Sequence, residues 1–209
     1  MLEAASWLRQ PSSPFELRHA STERPFFVNV PPRRFLVIEG AGPRHAEDFT
    51  TATRILRLVD QGLLARLRRD AFTSPTPPIL EVISTIPGEL ETEQLEEVLR
   101  TDGDLRWAQL LEIPTGASDE VASEAIDRAR AAAGRALALV HLAVIDEGPS
   151  VQLLSVREAD RVPSILRLFE AIASTGLQSV GRIHELQLND PSHVPPDRTL
   201  SIVRLPLAH

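Results

Sequence analysis

The sequence predicts an α+β fold: two strand–helix–strand–strand modules in tandem, with antiparallel sheets. Three observations predict it. Short runs rich in β-branched and aromatic residues alternate with amphipathic stretches at helical spacing. Proline and glycine punctuate the junctions between them. The same order of elements then occurs twice, over residues 33–114 and 150–206. The repeat rests on element order and strand pattern, not on residue identity.

Residues 1–30 are a mixed, proline-containing lead-in, and residues 31–209 form the domain. "RRFLVIEGAG" (33–42) is a strand closed by glycines. The stretch 46–70 carries Phe49, Ala52, Ile55, Leu56, Val59 and Leu63 on one helical face, with Gly62 a modest weakness. "PPILEVISTIP" (77–87) is a proline-bounded strand, and "LRWAQLLEIP" (105–114) is another. A linking helix over about 118–136 starts at Ser118, a good N-cap, with carboxylates in its first turn and an alanine-rich body. Residues 137–148 read as extended, and "SVQLLSV" (150–156) as a strand. In the helix at 160–176, Pro163 suits the first turn and Gly176 ends it, while Ile165, Leu168, Phe169 and Ile172 face the core. "GRIHELQL" and "RTLSIVRLPL" are the last two strands.

Composition narrows the function. The chain has 209 residues and a net charge of −7, with no basic run, which argues against direct nucleic-acid binding or an anionic membrane surface. There is no segment of helix-turn-helix size to spare. All 22 basic residues are arginine, so lysine chemistry is excluded, and the absence of cysteine removes disulfides and thiolate catalysis. The start lacks a signal-peptide pattern and no run of about 18 apolar residues exists, so the expected location is the cytoplasm. The histidines show no metal-ligand spacing, and no metal or cofactor is expected. "EGAGPRH" lacks the spacing of a phosphate loop, and Ser155 has no nucleophile elbow. Edge strands could pair with another copy, but nothing specifies an oligomeric state.

Two carboxylates stand out. Strand alternation puts Ile183, Glu185 and Gln187 on one face of "GRIHELQL", with His184 and Leu186 on the other. His184 and Glu185 therefore form no dyad, and His184 reads as a core histidine. If the repeat holds, Glu81 in "PILEVIS" corresponds to Glu185. A mid-strand glutamate can simply face water. The functional alternative is that both strands flank a pseudo-twofold axis and aim both carboxylates into one cleft, where desolvation suits them to acid–base work or to pairing with a cationic ligand. Trp107 opens a strand and is either core or pocket wall. Trp107, Gln109 and Leu111 share one strand face.

These residues resemble a known family, the GyrI-like small-molecule-binding domain. The resemblance lies in "DEGPSVQLLSV", the helix after it, "GRIHELQLNDP" and "RTLSIVRLPL", and in "VPPRRFLVIEGAG", "PPILEVIS" and "RWAQLLEIPTGASDE" of the first half. It covers about residues 30–206. It implies two pseudo-symmetric modules of SHS2 type enclosing a ligand cleft, with the glutamate matching Glu185 inside it. Drug-sensing relatives meet cationic aromatic ligands there, and stand-alone two-module members include cyclopropanoid cyclopropyl hydrolases, which open the cyclopropane ring of DNA-alkylating antibiotics. The chain departs from the family where Trp-Trp is common (Ser84 and Thr85) and where a tyrosine is usual (Gln187), and it has no tyrosine at all.

The expected function is hydrolysis of an electrophilic, hydrophobic or aromatic antibiotic-like compound. Glu185 and Glu81 would be catalytic, and Trp107, Gln109, Leu111, Ile183, Gln187 and Ile83 would contact the ligand. The alternatives are a drug sequestrant or sensor without catalysis, which the reduced aromatic lining favours, and, ranked last, a gyrase-inhibitor-type interaction protein.

Overall fold

The computed structural model describes residues 18, 20–69, 78–88, 90–103, 105–133 and 140–208. Expectations for residues 1–17, for 134–136 of the linking helix and for 137–139 of the extended run lie outside the described residues. The strands are β1 (Phe26–Val30), β2 (Arg33–Ala41), β3 (Leu80–Thr85), β4 (Arg106–Glu112), β5 (His141–Ile145), β6 (Gly148–Ser155), β7 (Arg182–Gln187) and β8 (Ser201–Pro206). The helices are α1 (Glu47–Arg69), α2 (Thr92–Thr101), α3 (Asp119–Ala133) and α4 (Arg161–Thr175).

Local chemistry explains most of these boundaries. Glu47 and Asp48 open α1 and Arg66, Arg68 and Arg69 close it, each charge opposing the helix dipole. Helix α4 stops at Gly176, which takes the left-handed conformation with φ of 72°. Two elements lack a counterpart in the sequence reading. Strand β1 falls inside the stretch read as lead-in, where Pro25 and Pro31 bracket only five residues. Helix α2 buries only Leu95 and Leu99, a single pair in an acidic stretch, so its periodicity is faint. A capping box between Glu91 and Gln94 fixes its start.

All eight strands form one antiparallel sheet in the order β1-β6-β8-β7-β3-β4-β2-β5. The order reads as a two-module repeat. β2, β3 and β4 with α1 make the first module, β6, β7 and β8 with α4 make the second, and β3 and β7 meet at the centre. The sheet cannot be flat. β5 and β6 are joined only by Asp146 and Glu147, yet six strand spacings separate them in the sheet order. At about 4.8 Å per spacing a flat sheet would hold them roughly 29 Å apart, and the link reaches only about 10 Å. The sheet therefore curls into a half-barrel, with its helices outside and its other face enclosed.

Alternation divides the core between the two faces. On the outer face Leu36, Ile38, Val82, Trp107 and Leu111 pack with α1 and α3, while Val151, Leu153, Ile183, Val203 and Leu205 pack with α2 and α4. The inner face holds Phe35, Val37 and Leu110, with Ile83, Ala108, Ala143 and Ile145 against them.

The inner face also encloses charge. Arg33 holds Glu81 through two parallel hydrogen bonds, Nη1 to Oε1 at 2.9 Å and Nη2 to Oε2 at 2.8 Å. His184 lies between two carboxylates, its Nε2 2.9 Å from Glu81 and its Nδ1 2.8 Å from Glu147. These are close charge contacts rather than aligned hydrogen bonds. Arg204 donates to Glu147 at 3.1 Å and to Gln152 at 2.8 Å. Burial favours the neutral form of each carboxylate, but for Glu81 the Arg33 guanidinium and His184 outweigh it and bring the pKa to about 2. For Glu147, His184 and Arg204 outweigh burial and hold the pKa far below the usual range. Burial alone would lower His184, but the Glu147 and Glu81 carboxylates raise it instead.

Three outcomes test these packings. Gly40 stands opposite Trp107, and a Cβ at Gly40 would fall 2.3 Å from the indole. Gly40→Ala is expected to destabilise the fold by about 1–3 kcal/mol, although alanine suits a strand better than glycine; an unchanged urea midpoint would refute the contact. His184→Leu is expected to cost roughly 3 kcal/mol, the low end for a broken buried pair because Arg33 and Arg204 remain. With its pKa raised in the folded state, His184 stabilises fully below its ordinary value of 6.5 and loses that contribution as pH rises through the raised one. Glu81 acts in the opposite sense, stabilising above 4.5 and losing its contribution as pH falls towards 2. Thermal melts should show Tm falling above the ordinary histidine value in the wild type, with that slope lost in His184→Gln. Parallel profiles would mean that His184 titrates alike in folded and unfolded chains.

Candidate functional site

Glu185 lies on β7, on the outer face, between the two helix-packed cores. Its strand neighbours across the sheet are Val82 on β3 and Val203 on β8. A carboxylate there needs cationic partners, and each module supplies one. Arg161, the first residue of α4, grips Glu185 with Nε on Oε2 at 2.9 Å and Nη2 on Oε1 at 3.1 Å. Its Nη1 donates to the Leu99 carbonyl at 3.0 Å. Arg44, from the loop between β2 and α1, donates through Nη2 to Glu185 Oε1 and, at 2.8 Å, to Ser84 Oγ. Asp102 completes the group, 3.4 Å from Arg161 and 3.8 Å from Arg44. Asp102 caps α2 with φ of 52°, a left-handed conformation tolerated by aspartate, which turns the carboxylate back to both arginines.

Burial alone would raise the Glu185 pKa, but Arg161 and Arg44 outweigh it and hold it at about 2. The group is therefore a fixed anion. It is a weak base, suited to orienting a water and to stabilising positive charge. Arg161 and Arg44 leave one lone pair of Oε2 open in the hydrogen bonds given above.

Glu185 opens on a cleft of about 190 Å³ beside the N-terminal end of α1. Arg44, Phe49, Glu158, Gln187 and Leu200 line it with Glu185. Gln187 Oε1 is enclosed there without a hydrogen-bond partner. The cleft thus combines one aromatic ring, a clamped carboxylate and polar side chains, as expected of a small-molecule site.

The structure divides the residues singled out in the sequence. Glu185 and Gln187 line this cleft. Glu81 does not share it. Val82 stands opposite Glu185 and Glu81 opposite Leu186, so Glu81 is on the inner face with His184. The correspondence of Glu81 with Glu185 is corrected accordingly: the two motifs match one residue out of phase. Glu81 is fully buried and ion-paired with Arg33, and cannot serve as an acid partner. Ile83 is also on the inner face, beside a second opening of about 240 Å³ that includes His184, Glu147 and Arg182. Trp107 and Leu111 belong to the α1–α3 core, with Trp107 edge-on to Phe49. Ile183 belongs to the α2–α4 core. Gln109 shares the outer face but is tied to Thr53 and the Phe49 carbonyl, each at 2.8 Å.

Arg44, Arg161 and Asp102 were not anticipated. Arg161 had a signal: a cation at a helix N-terminus is repelled by the positive end of the dipole and calls for a carboxylate partner. Arg204 had one too, since it interrupts an apolar strand as Glu185 does. Among the described residues no group of three histidine, aspartate or glutamate side chains could hold a metal ion, and no helix is long and apolar enough to cross a membrane.

Comparison with known proteins finds likeness in structure alone. No family model matches the chain, and no curated protein matches its sequence. The crystal structure of an uncharacterized protein from Listeria innocua matches with a TM-score of 0.76 at 23% identity, over 92% of this chain and 96% of that one. A hydrolase from Listeria innocua encoded by lin2189 matches at 0.74 and 22% identity, again over 92% and 96%. The C-terminal domain of EcmrR matches at 0.54 and 10% identity, over 88% of this chain and 97% of that one. At these identities the likeness is one of fold.

Proposed function

We propose that the chain is a small-molecule hydrolase working at the Glu185 cleft, on a neutral, electrophilic aromatic compound of the kind that carries an activated cyclopropane. The observation that carries this reading is the buried, ionised Glu185 carboxylate on the wall of a cleft where the two modules meet. The fold shared with a Listeria innocua hydrolase supports it, as does the resemblance to cyclopropyl hydrolases noted in the sequence.

The chemistry asked of the site is modest. Water attacks a ring carbon and forms a C–O bond. The strained C–C bond breaks, and its electron pair runs through the conjugated system to a carbonyl oxygen. That oxygen takes up a proton as the attacking water loses one, so one water is added overall. Glu185, through its open lone pair, would hold the water and stabilise the positive charge that develops at the ring carbon. Its low pKa assigns it orientation and electrostatics rather than full proton removal.

One observation favours a second reading. Two arginines occupy Glu185, and the chain has no tyrosine to supply a hydroxyl. A sequestrant would bind the same compounds without turnover.

Mass spectrometry separates the two. A cyclopropane-bearing alkylating antibiotic incubated with a catalytic amount of protein should gain one water over many turnovers. Glu185→Gln should slow this about a hundredfold or more. Compound that co-purifies unchanged would establish the binder, and full turnover by Glu185→Gln would remove Glu185 from the mechanism.

A further inference from the structure

We propose that Arg44 sets the ligand class of the Glu185 cleft, selecting neutral aromatic molecules that present a carbonyl or similar oxygen acceptor and working against cationic ones. The inference rests on the reading of this cleft as the ligand site. It inverts what the resemblance to drug-sensing proteins implies, in which the strand glutamate meets a cationic aromatic ligand.

The two arginines on Glu185 are not equivalent. Arg161 is buried and committed: its Nε and Nη2 hold both carboxylate oxygens, Nη2 also faces Asp102, and Nη1 is on the Leu99 carbonyl. It supplies a full counter-charge to Glu185 by itself. Arg44 is a second cation on a carboxylate already neutralised. It comes from a loop, lines the cleft, and keeps one donor in reserve. Its Nε is enclosed against Asp102, 3.8 Å from the nearest carboxylate oxygen, and Nη2 is on Glu185 and Ser84, so the donor left for a ligand is Nη1. An acceptor oxygen entering the cleft would take a hydrogen bond from Nη1 without disturbing the Glu185 contacts.

Charge counting gives the same direction. Arg44 and Arg161 balance Glu185 and Asp102, so this wall of the cleft is neutral, with Glu158 on the exposed rim. An aromatic cation could reach Glu185 only by displacing Arg44 into water or by standing beside it, where like charges repel. A carbonyl oxygen displaces nothing. In the ring opening set out above, the electron pair of the broken C–C bond arrives on that oxygen, and the Arg44 guanidinium is placed to hold the charge until a proton reaches it.

A matched pair of probes tests this: ethidium, a cationic phenanthridine, and phenanthridinone, its neutral carbonyl counterpart. Fluorescence titration should give the wild type about a tenfold preference for phenanthridinone. Arg44→Met should invert the preference by freeing Glu185 for the cation, and Arg44→Lys, which keeps the charge, should leave the order unchanged even if Arg44→Met folds poorly. A wild type that prefers ethidium, or an Arg44→Met ratio equal to the wild-type ratio, overturns the role of Arg44. Leu200→Trp, which fills the cleft, separates this from a failure of the site itself. Loss of both probes in Leu200→Trp confirms that they bind at the cleft. Retention of both in that variant, or no binding of either probe to the wild type, overturns the cleft as the ligand site and the Arg44 proposal with it.

Discussion

The enclosed face of the curled sheet is built around His184, which lies between Glu81 and Glu147. Glu147 is in the two-residue link that carries the chain from β5, at one end of the sheet order, to β6, near the other. Its carboxylate meets His184 on β7 and Arg204 on β8, while Glu81 on β3 ties His184 to Arg33 on β2. Strands from both modules are thus joined by one enclosed set of charges. Such a set is weak evidence for net stability, since desolvating every member is costly. Its value here is geometric. Glu147 meets His184 and Arg204 only when the link closes over the inner face, so its ion pairs favour the curled arrangement that the short link requires.

The central strand pair carries a second set of charges on its other face. Alternation along β7 sends His184 inward and Glu185 outward, so adjacent residues serve two separate ionic groups. The inner group is paired among its own members, with His184 and Glu147 bordering the second opening. The outer group is completed by Arg161 at the start of α4, Arg44 from the β2–α1 loop and Asp102 at the end of α2, and it borders a cleft. Fixing β7 through His184 therefore also fixes the base on which Glu185 stands, and the site inherits its rigidity from the enclosed network behind it.

Much of this was legible in the sequence. The long helices and the module strands announce themselves by periodicity and punctuation, and Gly176 ends α4 for the reason that glycine ends helices. Glu185 stands out because a carboxylate breaks an apolar alternation. Strand β1 and helix α2 are too short to show a period. The face of Glu81 was not legible either, for a physical reason. Alternation gives the relative faces within one strand, but β3 and β7 are separated by almost a hundred residues, and nothing local fixes which face of one matches which face of the other. The buried arginines escaped because an arginine in a strand or at a helix start reads as solvated unless its partner is known.

The absence of lysine, which as composition says little, becomes informative beside these contacts. Arg161 uses three nitrogens at fixed angles for Glu185, Asp102 and a backbone carbonyl, and Arg33 grips Glu81 through two parallel bonds. A lysine ammonium could supply neither fork. The same geometry shows where the pseudo-symmetry breaks. On the outer face β7 presents Glu185, while β3 presents Ser84, so one carboxylate serves an arginine from each module. With a carboxylate in each strand, each arginine would have a strand counter-charge of its own. With one, Arg161 is spent on structure and Arg44, on the cleft wall, keeps Nη1 outside its bonds to Glu185 and Ser84. An internal repeat that is symmetric in its backbone has thus become asymmetric in its charges, and the arginine with a donor to spare is the one that lines the cleft.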